Sequence, residues 1–209
     1  MKRRSLFAPA GALAAVTLAL GTAGFAAPAG AQKTETAIFA GGCFWCVESD
    51  FDHVSGVLDT TSGYIGGKAE NPTYYDHEGF REAVRITFDP SKVSYDKLLD
   101  VYWHSVDPTD GGGQFCDRGH AYTTAIYATS KEQLKEAEAS EAAVKKDLGT
   151  VTTEVTMAPK FWPAEGYHQD YYKKNPLKYR YYRTGCGRNA RVESVWGDKA
   201  YMGIKDHMG

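Results

Sequence analysis

Apolar and polar positions change rhythm in a readable order along this chain. Thr36-Ala37-Ile38-Phe39-Ala40 is a short apolar run stopped by Gly41-Gly42, after which Phe44, Val47, Phe51 and Val54 recur at helical spacing. This pattern predicts a strand, a tight turn and a helix. Val57 to Ile65 reads as a strand ending at Gly66-Gly67, and Val84, Ile86 and Phe88 alternate with Arg85 and Thr87 before Asp89-Pro90. Ser94 caps a helix carrying Leu98, Leu99, Tyr102 and Trp103. The stretch from Asp107 to Gly119, with Gly111-Gly112-Gly113, is a long loop of the kind that often carries function, followed by a strand from Ala121 to Ala128. Ser130 and Gln133 form a capping-box pattern opening a charged helix to about Leu148, and Val151 to Met157 returns as a strand. Glu165 to Lys174 reads as a helix stopped by Asn175-Pro176, and Leu177 to Gly209, rich in glycine, tyrosine and arginine, reads as coil.

Strands and helices intermix without strict alternation, and no internal repeat or linker interrupts residues 32–209. The expected class is α+β: a single domain with helices packed on a mostly antiparallel sheet, a ferredoxin-like two-layer sandwich with a coil-rich C-terminal segment. With 209 residues, 43% of them hydrophobic, the chain can bury one sizeable core.

The first residues follow a different rule. Met1-Lys2-Arg3-Arg4 precedes a mostly apolar stretch from Ala12 to Leu20 and a small-residue site, Ala29-Gly30-Ala31. Residues 1–31 are therefore expected to be a secretory signal peptide and the product to be exported, periplasmic or secreted. A membrane anchor fits less well, because glycines and prolines keep any apolar run below roughly 18 residues. Arg3-Arg4 is similar to a twin-arginine signal, although a basic start before an apolar segment explains it equally, and the export route stays open. Signal removal makes a chain of formal charge −2 more acidic, which argues against nucleic acid as a partner.

Four cysteines, Cys43, Cys46, Cys116 and Cys186, lie beyond the signal, where an oxidising compartment lets disulfides persist. Gly41-Gly42 allows a sharp turn off the strand that places Cys43 in the first helical turn. There, unpaired amide groups and the helix dipole are expected to lower its pKa and make it a nucleophile. Cys46, three residues on, falls on the same helical face. The cysteines lack a second C-x-x-C pair, so no metal site is expected, and no phosphate loop, dinucleotide fingerprint or haem motif occurs.

Gly42-Cys43-Phe44-Trp45 resembles the active-site signature of A-type peptide methionine sulfoxide reductases. Further blocks resemble that family in the family's order: Ser62-Gly63-Tyr64-Ile65-Gly66-Gly67, Asn71-Pro72-Thr73-Tyr74, Glu82-Ala83-Val84, Asp107-Pro108, Gln114 to Gly119, and His168-Gln169-Asp170-Tyr171. The resemblance implies thiol-dependent reduction of methionine S-sulfoxide, free or in proteins, and with it repair of oxidised proteins. It implies Cys43 as the nucleophile that becomes a sulfenic acid, Glu82 as proton donor, and Tyr74 and Tyr122 as hydrogen-bond donors to the sulfoxide oxygen. Phe44 and Trp45 would receive the S-methyl group and Asp117 the substrate backbone. No prosthetic cofactor is implied; electrons would come from an external, thioredoxin-like dithiol.

One stretch departs from the family pattern. The connection after Tyr74 is short, Phe80 stands where a histidine is usual, and Glu78 becomes a rival to Glu82 as donor. Resolution of the sulfenic acid is open between two cysteines. Family members commonly use a C-terminal cysteine, which Cys186 matches, while Cys46 is already on the face of Cys43. The expected order is Cys46 first, then exchange with Cys186, with Cys116 the least suited partner beside Asp117. Two rival functions fit parts of the sequence: a thioredoxin-like disulfide oxidoreductase using Cys43 and Cys46, and a disulfide-stapled binding domain without a free Cys43.

Overall fold

The computed structural model describes residues 33–205; the signal-peptide expectation for residues 1–31 lies outside the described residues. Strand β1 (Glu35–Ala40) leads into helix α1 (Phe44–Asp52), then β2 (Val57–Ile65), β3 (Arg81–Phe88) and α2 (Tyr95–Trp103). A two-residue hairpin, β4 (Gly113–Gln114) and β5 (Asp117–Arg118), sits inside the glycine-rich loop and precedes β6 (Ala125–Ala128). Next come α3 (Lys131–Leu148), β7 (Glu154–Met157), β8 (Phe161–Pro163), α4 (Tyr171–Lys174), α5 (Pro176–Gly185) and α6 (Arg188–Trp196).

The main sheet has the order β7-β6-β1-β3-β2-β8. All its pairs are antiparallel except β6 with β7, which α3 joins as a crossover. Within it, β1-α1-β2-β3-α2-β6 laid out as β6-β1-β3-β2 is a split β-α-β arrangement. The class is α+β, as the mixed rhythm of the sequence predicts.

Strand alternation decides which residues meet the helices. Ala37 and Phe39 of β1 and Val84, Ile86 and Phe88 of β3 join the large core with Phe44, Val47, Phe51, Leu98 and Tyr102. Ile38, Ala40, Ala83 and Tyr127 form a smaller cluster on the opposite face, against Ala158 and Phe161. Glu82 shares the parity of Val84 and so points to the helix side. The ring of Phe51 lies 5.4 Å from that of Phe39 and is fully buried. Truncating such a ring costs about 3–5 kcal/mol and would loosen α1 on the sheet.

The caps follow sequence chemistry with one variation. Ser94 Oγ accepts from Lys97 N–H and Ser130 Oγ from Gln133 N–H, each at 3.1 Å. Gln133, however, returns its side-chain oxygen to Thr129 N–H (2.9 Å) and its amide to Thr36 C=O (2.8 Å), tying α3 to β1 as well as closing its own end.

Three expectations for the backbone fail, each for a local reason. The strand expected from Ala121 begins only at Ala125, because His120–Tyr122 form a 3₁₀ turn. The helix expected from Glu165 is confined to Tyr171–Lys174: Glu165 accepts from Tyr74 N–H, Gln169 clamps Ser62, and Asp170 is left-handed (φ 53°). The expected C-terminal coil is mainly helix. Pro176 starts α5, whose buried residues are Tyr179 and Arg183; α6 buries Arg188, Val192 and Trp196. These are four-residue stripes, but arginine supplies part of each, and arginine ordinarily marks a solvent face.

Candidate active site

Cys43 stands at the N-cap of α1, where the chain leaves β1 through Gly41-Gly42. Gly42 has φ +86°, and a Cβ there would lie 2.6 Å from Cβ of Gln114, so the turn demands glycine twice over. The first-turn amide of Phe44 donates to Glu82 Oε2 at 2.9 Å, with both groups buried. A carboxyl from β3 thus occupies a helix N-terminus, beside the residue that follows it.

Electrostatics around Cys43 differ from the expectation that its pKa falls. Burial, followed by its hydrogen bond to Cys46, raises the Cys43 thiol well above the ordinary value. Cys46 is lowered to about 7, first by that same hydrogen bond from Cys43 and then by the charges of Arg188 and Arg183, against the cost of burial. Helix dipole and amides do not decide the matter, because Cys43 is only 7% exposed and its neighbours Cys46 and Glu82 add negative charge.

Glu82 is 2% exposed, and burial pushes its carboxyl up to about 8, opposed by the Phe44 amide and reinforced by the charges of Asp117 and Cys46. Glu78 is exposed. Phe80 explains the altered connection: its ring is buried over Gly67, where a Cβ would fall 2.1 Å from Cδ2.

Tyr74 and Tyr122 are half-buried, and both phenols are raised, by burial first and then by the charges of Glu82, Asp117 and Cys43. Phe44 is buried against Tyr64 and His168, so it packs the core as well as the site. Trp45 is half-buried, stacks on Tyr171 at 3.7 Å and donates its indole N–H to His168 Nδ1 at 3.1 Å, which fixes its plane.

Two contributors escaped the sequence reading. Tyr182, on α5, donates to Asp117 Oδ2 and is also hydrogen-bonded to the Cys43 thiol, bridging the hairpin to α1. Glu165 accepts from Tyr64 O–H and Tyr74 N–H, both at 2.9 Å, and so positions Tyr74. The only sequence signal for Tyr182 was its place four residues before Cys186 on a stripe that the coil expectation concealed.

Cys43 and Cys46 are free and buried, whereas Cys116 and Cys186 form a disulfide with Cα atoms 4.9 Å apart across 70 residues. Cys116, expected to be the least suited to resolve a Cys43 sulfenic acid, is bonded to Cys186 instead: α5 packs on the β4–β5 hairpin through Tyr182 and Asp117, which brings the two cysteines together. This disulfide lines an open groove of about 630 Å³ with Leu177, Arg180 and Tyr181, and Cys116 is exposed. Cys116, Asp117 and Cys186 also form a group of potential metal donors, but both sulfurs are used in the bond.

A thiol at a helix N-terminus beside a second thiol, with a buried carboxyl above its ordinary pKa and tyrosines around them, defines a thiol-based redox site. A family model described as peptide methionine sulfoxide reductase matches residues 35–200, and the chain belongs to that family. The chain is 58% identical over 180 residues to a peptide methionine sulfoxide reductase MsrA 2 of Rhizobium meliloti (strain 1021), covering 85% of this chain and 91% of the relative. It is 48% identical to peptide methionine sulfoxide reductase MsrA of Bacillus subtilis (strain 168), with coverage of 80% and 99%. Among solved structures, methionine sulfoxide reductase A of Corynebacterium diphtheriae aligns with TM-score 0.66 and 32% identity, covering 69% of this chain and 76% of that one. The activity of the chain is that of a peptide-methionine (S)-S-oxide reductase.

Proposed function

We propose that Cys43 attacks the sulfoxide sulfur while Glu82 donates a proton to its oxygen, aided by hydrogen bonds from Tyr74 and Tyr122. The observation that carries this reading is the Glu82 carboxyl, buried, hydrogen-bonded to the residue after Cys43 and raised to about 8. A carboxyl still protonated near neutral pH can serve as a general acid. A sulfoxide sulfur is a poor electrophile until its oxygen is protonated, so acid and nucleophile must be neighbours. Oxygen transfer leaves methionine and a Cys43 sulfenic acid. Phe44 and Trp45 supply the apolar wall for the S-methyl group, with favourable sulfur–aromatic contact. Asp117, held by Tyr182, faces the substrate backbone.

Cys46 then forms a disulfide with Cys43, and water leaves. Both sulfurs are buried, which limits attack by a partner protein's thiol. Exchange therefore passes the oxidation outward: Cys186 attacks Cys46, and Cys116 closes on Cys186, leaving Cys43 and Cys46 as thiols. The exposed Cys116–Cys186 bond is the one an external, thioredoxin-like dithiol reduces. Substrates are peptides or proteins carrying methionine sulfoxide, and no prosthetic cofactor takes part. The basic and apolar pattern of residues 1–31 supports export to a periplasmic or secreted location; N-terminal sequencing of protein recovered from cell fractions should find Gln32 first, and an intact Met1 would reject it.

The test of mechanism is anaerobic single turnover with product methionine counted per enzyme. Reduced wild-type protein should release methionine and Cys43→Ser none, with its fold retained by circular dichroism. Substantial methionine from Cys43→Ser would overturn the assignment.

A further inference from the structure

Behind Cys46 lies a buried ionic cluster that the mechanism above does not use. Asp50 follows Cys46 by one turn on the same face of α1. Its carboxylate meets Arg183 Nη1 at 2.7 Å and Arg188 Nη2 at 3.5 Å, and exposure is 1% for Asp50, 3% for Arg183 and 1% for Arg188. Arg188 also donates to Gly41 C=O and Ser105 C=O, each at 3.0 Å. Arg183 donates to Tyr179 O–H and Asn189 Oδ1, each at 2.9 Å. Arg183 Nη2 and Arg188 Nε remain buried without a hydrogen-bond acceptor.

Two guanidiniums facing one carboxylate leave one positive charge over among buried side chains, which is costly unless a further anion sits within reach. The groups facing Cys46 supply few candidates. From α1 there are Cys43, whose S–H donates to it, and Asp50, already counted. Glu82 on β3 keeps its proton to about 8, and Tyr179, Tyr182 and Tyr201 are phenols raised by burial. Asp117 reaches Arg188 from the hairpin, but it is half-buried at the solvent side and bound by Tyr182. The anion left to balance the pair is the Cys46 sulfur.

We infer that Arg183 and Arg188 are positioning residues that hold the resting negative charge of the dithiol on Cys46, so that Cys46 is the base that takes the Cys43 proton during attack. The base role rests on the proposed mechanism; the location of the charge does not. The proton count closes. Cys43 sulfur bonds to the sulfoxide sulfur as its proton passes to Cys46, and the oxygen, carrying the Glu82 proton, transfers to Cys43. Methionine sulfur is reduced and Cys43 sulfur oxidised by two electrons. Cys46 sulfur then attacks Cys43 sulfur, the S–O bond breaks, and hydroxyl leaves as water with the Cys46 proton. The negative charge has moved from Cys46 to Glu82, which recovers a proton from solvent.

The test follows thiolate ultraviolet absorbance against pH in fully reduced protein, taken as differences between wild type and each serine variant so that Cys116 and Cys186 cancel. Wild type minus Cys46→Ser should show one thiolate with a midpoint near 7, and wild type minus Cys43→Ser none at neutral pH. Arg183→Gln should raise the midpoint by about one unit, and Arg183→Lys should restore most of the shift, which a merely structural role would not produce. A neutral-pH thiolate that persists in Cys46→Ser and vanishes in Cys43→Ser overturns the inference, as does an unmoved midpoint in folded Arg183→Gln. The two serine variants decide which sulfur carries the charge, and the Arg183 variants decide whether the arginine holds it there. Because no substrate is present, a failure here leaves the reduction mechanism standing, while absence of methionine in single turnover would sink that mechanism and the base role with it and leave the location of the resting charge standing.

Discussion

The two cysteine pairs of this protein are built by opposite means. Cys43 and Cys46 are three residues apart on one helix, both buried and both free, and their meeting follows from helix geometry. Cys116 and Cys186 are separated by 70 residues, and they meet only because α5 packs on the β4–β5 hairpin. The first pair lies within the catalytic environment of Glu82 and Tyr182; the second lines an open groove beside Leu177 and Tyr181. On the proposed mechanism, proximity in sequence serves the chemistry and proximity in space serves the exit to solvent. Between them stands Tyr182, which touches the Cys43 thiol at one end of its turn of α5, with Cys186 a turn further on.

The largest effect that would sharpen this comparison is the complete loss of methionine formation in Cys43→Ser. Next, Glu82→Gln should slow the chemical step by roughly 10²–10⁴-fold, the range of positioned general acids. If Glu78→Gln is the more damaging of the two, the donor has been assigned to the wrong carboxyl. The pH profile carries the same information. A general acid with a pKa of about 8 must keep its proton, so wild-type kcat/KM should fall as pH rises through about 8.

Stability gives an independent check with a defined sign. Glu82 titrates higher folded than the ordinary 4.5, so its contribution is fully present below that value and is lost as pH rises toward and through about 8. Glu82→Gln has no proton to lose there, and its melting temperature should gain on wild type as pH increases across that window. A constant difference would mean that the carboxyl is not raised.

A smaller loss is expected for Tyr182→Phe, which removes the hydroxyl shared by Asp117 and Cys43. One hydrogen bond to a charged or reacting group corresponds to about a tenfold drop in kcat/KM. An unchanged value would make Tyr182 a packing residue. The smallest effect on chemistry belongs to Cys186→Ser. Given substrate without reductant, it should release methionine at the wild-type rate and then stall with a Cys43–Cys46 bridge, which peptide mapping would identify. A Cys43–Cys186 bridge formed at full rate in Cys46→Ser would show instead that the C-terminal cysteine resolves directly. Losing the Cys116–Cys186 bond should also reduce stability by about 2–4 kcal/mol.

Much of this protein was legible before folding because local rules generated it. The strand–turn–helix around Gly41-Gly42-Cys43, the alternation that turns Glu82 inward with Val84, and the Ser94 and Ser130 caps all depend on residues within a few positions of one another. Such short-range geometry is set by backbone sterics and by side chains that meet every second or every third and fourth residue. What only the tertiary structure decided depends on burial and long-range charge. The pKa order of the two thiols reverses the local expectation, because water is excluded and Arg183 and Arg188 arrive from the far end of the chain. The helices α5 and α6 escaped a polarity reading because their buried stripes are spelled partly in arginine, a residue placed inside only when a carboxylate such as Asp50 is waiting. The Cys116–Cys186 pairing, likewise, follows from the contact of α5 with a hairpin 70 residues away, a distance over which no local periodicity carries information.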